Sequence, residues 1–209
     1  MSTLLLESNG GYITDGDLSF LPKPITDMRI GYVVTASKGV PDISYIDDRR
    51  SRMRKMGYDF DEIDISGKTP AELRDFFVDK DIILVEGGNT FLLMKAIRES
   101  GFEIVVRECL ERGVIYIGSS AGAYVACPTI EMATWEHQDI YDHYGVTDLS
   151  GMNLVPFLVS VHYEQQYASL LRQKIAKSTF PVRILKNGQA LLVRNEETTL
   201  LGTGEEVRL

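Results

Sequence analysis

Apolar runs, turns and helical patterns alternate along this chain. "RIGYVVTA" (29–36) and "DIILVE" (81–86) are short, β-rich and bounded by turn residues, as strands buried on both faces are. "VIYIG" (114–118) and "NLVPFLVSV" (153–161) share that character, although Pro156 predicts a late or irregular start for the last of them. Between the runs lie helices with readable ends. Thr69, Pro70 and Glu72 supply an N-cap, a first-turn proline and a capping-box acid for "PAELRDFFVD". Asn89 and Gly101 bracket "NTFLLMKAIRESG" as N-cap and C-terminal stop, and "YEQQYASLLRQKIAK" (163–177) is a further amphipathic stretch. Strands alternating with such helices predict βαβ units and a mostly parallel sheet. The tail, "VRILKNGQALLVRNEETTLLGTGEEVRL", changes to short strands and turns, with Asn187-Gly188 as a hairpin signal. The expected architecture is one three-layer α/β domain over residues 1–209, closed by an antiparallel C-terminal ribbon.

Charge and composition narrow the partners. The chain carries 22 Lys and Arg against 30 Asp and Glu, a net charge of -8, which argues against nucleic acid and against an anionic membrane. Its densest basic run, "DDRRSRMRK" (47–55), mixes signs and reads as one solvated helix face. Cys109 and Cys127 make no disulfide framework, so a reducing cytoplasm is the expected setting. The three-leucine run in "MSTLLLESNGGY" is too short for a signal-peptide core, and no stretch approaches the ~20 apolar residues of a membrane span. No feature of the pattern selects an oligomeric state.

Three places at predicted strand ends could carry chemistry, because ligands of parallel α/β sheets gather at the carboxyl ends of the strands. In "YIGSSAGAYVAC" (116–127), Gly118, Ser120 and Gly122 satisfy G-x-S-x-G between a strand and a helix, which makes Ser120 the elbow residue and Ser119 its neighbour. A small-residue helix start or a phosphate-binding turn has the same appearance. In "VEGGNT" (85–90), Gly87 and Gly88 can expose backbone N–H groups, suiting an oxyanion hole shared with the N–H of Ala121. A tight turn explains both glycines equally, and Glu86 beside them reads as a solvated turn acid more readily than as an electrostatic partner. The chain has three histidines. His162 follows the run 153–161 and is the candidate general base, while a hydrogen-bonded strand-end histidine is the plainer reading. His137 and His143 lie in "TWEHQDIYDHYG" with Glu136, Asp139 and Asp142, but the spacing matches no common metal-ligand pattern, so no metal is expected.

Taken in order, "GYVVTAS", "VEGGNTFLL", "GSSAGAYVACPTI" and "VHY" make the chain resemble peptidase family S51, in its dipeptidase E (aspartyl dipeptidase) branch, from about residue 29 through the tail. The resemblance implies a class I glutamine-amidotransferase-like fold and a cytoplasmic serine peptidase acting on short peptides, with neither metal nor organic cofactor. It also implies Ser120 as nucleophile and His162 as base. The best-known members cleave peptides with N-terminal aspartate, and cyanophycinase relatives cleave β-linked aspartyl-arginine units; no specificity residue is identified in this sequence. The acid that completes the pair in aspartyl dipeptidase matches Asn187 in "LKNGQALLV", where an amide oxygen can orient an imidazole but supplies no charge. A second acidic position proposed for the family falls at Trp135, with Glu136 and Asp139 close by in sequence. Two rival functions remain at this stage. One is an esterase using the same elbow, and the other is a non-catalytic protein holding a small anion at the helix starts beside Gly87 and Ser120.

Overall fold

The computed structural model describes residues 2–138, 142–195 and 197–209. The elements run β1 (Thr3–Glu7), α1 (Tyr12–Asp15), β2 (Arg29–Val33), α2 (Ser44–Lys55), β3 (Asp59–Ile63), α3 (Pro70–Phe77), β4 (Ile82–Val85), α4 (Thr90–Ser100), α5 (Phe102–Glu111) and β5 (Ile115–Ser119). The second half adds α6 (Ala121–Ala126), β6 (Leu158–Ser160), α7 (Ala168–Ile175), β7 (Val182–Ile184), β8 (Ala190–Arg194) and β9 (Glu197–Leu201). Seven strands form one sheet in the order β3-β2-β4-β5-β1-β8-β9. The first five are mutually parallel; β8 runs antiparallel to β1, and β9 antiparallel to β8.

The apolar runs conceal a period of two. Leu5, Ile82, Leu84, Ile115 and Ile117 enter a core with Tyr12 and Ile13 of α1 and Met53 of α2. Their neighbours Leu4, Leu6, Ile83, Val85 and Tyr116 enter the opposite core with side chains of α3 to α7, among them Phe77, Leu93 and Phe102. Helices therefore cover both faces, which is why these strands carry no polar alternation and why the layers number three.

Helix ends fall where local chemistry places them. The Thr69 hydroxyl accepts from Glu72 N–H, and Glu72 Oε2 accepts from Thr69 N–H at 2.8 Å. Asn89 Oδ1 accepts from the N–H groups of Phe91 and Leu92, both at 2.9 Å, and Gly101 ends α4 in the left-handed region with φ of +69°. These bonds satisfy donors and acceptors that the first and last turns leave open.

Four expectations need revision. The N-terminal leucines, assigned to no element above, form β1, an inner strand between β5 and β8, ahead of residue 29 where the family resemblance was placed. The run 153–161 starts late, as Pro156 predicts, but its short strand β6 leaves the main sheet and pairs with β7 in a separate two-stranded parallel sheet. The stretch 163–177 begins as a 3₁₀ turn, Gln165–Tyr167, before the α7 helix. Asn187-Gly188 does turn the chain, with Gln189 N–H donating to Lys186 O and Gly188 at φ +81°, but the strands on either side belong to different sheets. The hairpin lies one strand later, between β8 and β9. Among the described residues no helix is long and apolar enough to cross a membrane.

Candidate active site

The turn from β5 into α6 holds Ser120 at φ 48° and ψ -105°, a conformation a residue bearing Cβ adopts only when its surroundings impose it. The flanking glycines show how. A Cβ on Gly118 would sit 2.4 Å from Gly122 O, and one on Gly122 would sit 2.3 Å from Val85 O. Gly87 closes over the turn from β4: a Cβ there would come within 3.1 Å of Ser120 Cβ. Ser120 N–H donates to Glu7 O of β1 at 3.0 Å, anchoring the elbow to the middle of the sheet. The two serines are thus distinguished. Ser119 is buried with its hydroxyl 3.4 Å from Arg49 Nη2, whereas Ser120 Oγ lies 3.0 Å from His162 Nε2.

His162 arrives from the small sheet. β6 and β7 run in parallel, Leu185 N–H donates to Ser160 O at 2.8 Å, and Tyr163 N–H donates to Leu185 O at 3.0 Å, so the carboxyl ends of both strands open at one place. There His162, at φ +58°, sets Nδ1 2.8 Å from Asn187 Oδ1 of the Lys186–Gln189 turn. Ser8, just past β1, ties the pieces together: its hydroxyl accepts from His162 N–H at 2.9 Å and donates to Asn187 Oδ1 at 3.3 Å. With Nδ1–H donating to the amide oxygen, Nε2 is left as the acceptor facing Ser120.

Gly88 has φ +133°, and a Cβ on it would lie 2.4 Å from Ala36 O, so this turn requires glycine. The N–H groups of Gly88 and Ala121 meet no acceptor among the described residues, which leaves both available. The elbow and His162 open on a cavity of about 600 Å³, whose wall includes Gly87, Gly88, Phe91, Tyr124 and Gln138.

Beneath the elbow lies a charged cluster built from residues whose sequence context reads as solvated. Arg49 is no part of a solvated face: only 6% exposed, it reaches from α2 to Glu7 and Glu86. Its Nη1 lies 3.0 Å from Glu86 Oε2 and 3.8 Å from Glu7 Oε1, without a well-aligned hydrogen bond to either. Glu86 is likewise no solvated turn acid. It is 1% exposed, accepts from Gly87 N–H at 2.8 Å and from the Tyr32 hydroxyl, and so braces the glycine turn. Burial is the largest influence on the Glu7 carboxyl and pushes it up to about 7, against the opposing pull of Arg49. Two signals pointed here. Ile46, Arg49 and Met53 share one buried face of α2, and "LLLESNGG" repeats the apolar-run, acid and glycine pattern of "ILVEGG".

The remaining candidates lie elsewhere. Glu136 pairs with Lys174 Nζ at 2.7 Å, Trp135 is buried, and Asp139 falls outside the described residues. His143 stacks on Phe91, with ring centroids 3.9 Å apart. His137 packs against Trp135 and Tyr167, its basicity lowered first by burial and then by the neighbouring His162. Among the described residues no group of three or more His, Cys, Asp or Glu side chains is placed to hold a metal.

Comparison with known proteins brings this geometry into a family. The sequence pattern of peptidase family S51 matches residues 4–201. An uncharacterized peptidase of Pasteurella multocida is 32% identical over 206 residues, spanning 97% of this chain and 98% of the relative. Peptidase E of Escherichia coli is 36% identical over 125 residues, which are 60% of this chain and 49% of that protein. A crystal structure of a candidate peptidase E from Listeria monocytogenes superposes with a TM-score of 0.85 at 22% identity, covering 98% of this chain and all of that one, and so shares the fold.

Proposed function

The chain belongs to peptidase family S51 and is a peptidase, and from that premise we propose that it hydrolyses short peptides with Ser120 as nucleophile and His162 as general base. The observation that carries the reading is the hydrogen-bonded series Ser120 Oγ, His162 Nε2, His162 Nδ1, Asn187 Oδ1, with spacings of 3.0 and 2.8 Å, at the edge of an open cavity. His162 Nε2 takes the Ser120 proton as Oγ attacks the peptide carbonyl. The N–H groups of Gly88 and Ala121 receive the developing oxyanion. The imidazolium then protonates the departing amine, and water, activated in turn by His162, releases the acyl group from Ser120.

Asn187 acts as the orienting residue. Its amide oxygen holds the Nδ1–H tautomer but adds no negative charge opposite the imidazolium, so the barrier is lowered less than a carboxylate would lower it. The acids Asp42 and Glu86 on the cavity wall disfavour the rival reading as an anion-binding protein. No cofactor takes part in this scheme, and the substrate is the sole partner it needs. Mass-spectrometric turnover of a dipeptide panel by the wild type, Ser120→Ala and His162→Ala tests it. Cleavage by the wild type and its loss in both variants is expected; cleavage surviving in Ser120→Ala would overturn it.

A further inference from the structure

The cavity at Ser120 has a one-sided lining. Its apolar wall comes from Val40, Pro41, Phe91, Tyr124 and Ala133, and its charged members are Asp42 at an exposed rim and Glu86 in the buried floor. Among the described residues no Lys or Arg lines it. The guanidinium nearest the floor is Arg49, already shared between Glu7 and Glu86 and contacting Ser119 Oγ and Asn9 O, both at 3.4 Å. It is held by the buried carboxylates beneath the elbow and does not line the cavity. Gln138 presents the opposite opportunity: its amide nitrogen is buried at the cavity wall and has no acceptor among the described residues.

From this lining we infer that the site takes peptides whose attacked residue bears a neutral side chain, apolar or amide, and that it discriminates against aspartate. The inference rests on the serine-peptidase reading above. An aspartyl carboxylate entering the cavity would lose its water, find no lysine or arginine among the described lining residues, and face Asp42 as a like charge, Glu86 being paired with Arg49. An asparagine side chain of the same shape carries no such cost, and its carbonyl can accept from Gln138. An aliphatic side chain buries itself against Phe91 and Val40.

The test compares Asp-Leu, Asn-Leu and Leu-Leu as substrates of the wild type and of Asp42→Lys, alongside labelling of Ser120 by a fluorophosphonate. The expected result is kcat/KM for Asn-Leu and Leu-Leu exceeding that for Asp-Leu by about tenfold or more, as an unpaired charge requires. Asp42→Lys should narrow the Asn-to-Asp ratio by a similar factor. Asp-Leu cleaved as fast as Asn-Leu by the wild type overturns the inference. So does a protein that labels at Ser120 yet cleaves none of the three, and in that case the nucleophile assignment stands. Folded protein that neither labels nor cleaves overturns the serine reading itself and the inference with it.

Discussion

Replacing Arg49 with methionine probes the support of the elbow. The substitution keeps much of the side-chain volume and removes the cation shared by Glu7 and Glu86, both about fully buried. Taking one partner from a buried ion pair costs about 3–5 kcal/mol, because the remaining charge has neither water nor counter-charge. For a chain of this length each kcal/mol lowers Tm by roughly 2–4 °C, so the expected fall is about 10 °C. Its pH dependence is the sharper signature. The folded state holds Glu7 near 7 against an ordinary 4.5, so it binds a proton more tightly than the unfolded chain does. The contribution of this group to stability is therefore most favourable below about 4.5, declines by about 3 kcal/mol as pH rises to 7, and is level above that. Without Arg49 the carboxyl rises further and the decline continues to higher pH. The Tm deficit of Arg49→Met, followed by circular dichroism with Arg49→Lys as control, should be smaller near pH 5, where Glu7 is protonated, than near pH 8.5. A deficit below about 3 °C at pH 8.5, or one equal at both pH values, would refute the buried cluster as the elbow's support.

Substitutions at three further positions follow from the same geometry. Asn187→Ala should lower kcat by about 10–100-fold through loss of one hydrogen bond to a group that becomes charged, whereas Asn187→Asp should raise it about tenfold by supplying the missing charge; steady-state kinetics on a cleaved dipeptide decides both. Gly122→Ala forces a Cβ to 2.3 Å from Val85 O and should cost at least ~2 kcal/mol along with most activity, read from urea unfolding. Thr69→Ala removes the capping box of α3 and should cost about 1 kcal/mol while leaving kcat unchanged, since α3 lies away from the site.

What the sequence made legible was local chemistry. Thr69 with Glu72, Asn89 with its two N–H donors, and Gly118 with Gly122 each act within a few residues, so the pattern alone carries them. What escaped depended on pairing across the chain. β1 is a five-residue strand whose place is fixed by parallel pairing to β5 and antiparallel pairing to β8, more than a hundred residues away, and its leucines in isolation suggest no sheet. Arg49 sits in a run whose mixed signs look solvated, and only its register with Ile46 and Met53 turns it inward. The Asn187-Gly188 turn was visible as a turn, but its role required β6 to leave the main sheet and pair with β7, bringing His162 and Asn187 together. Ser8, which bonds to both, had no local mark at all.

Ser120, and not its neighbour Ser119, is the proposed nucleophile, activated by His162. Reaction of the folded protein with a fluorophosphonate, followed by peptide mapping in the mass spectrometer, tests it most directly. One adduct is expected, on Ser120, formed at least about a hundredfold more slowly in His162→Ala. An adduct on Ser119, or labelling of Ser120 at an unchanged rate without the imidazole, would contradict it.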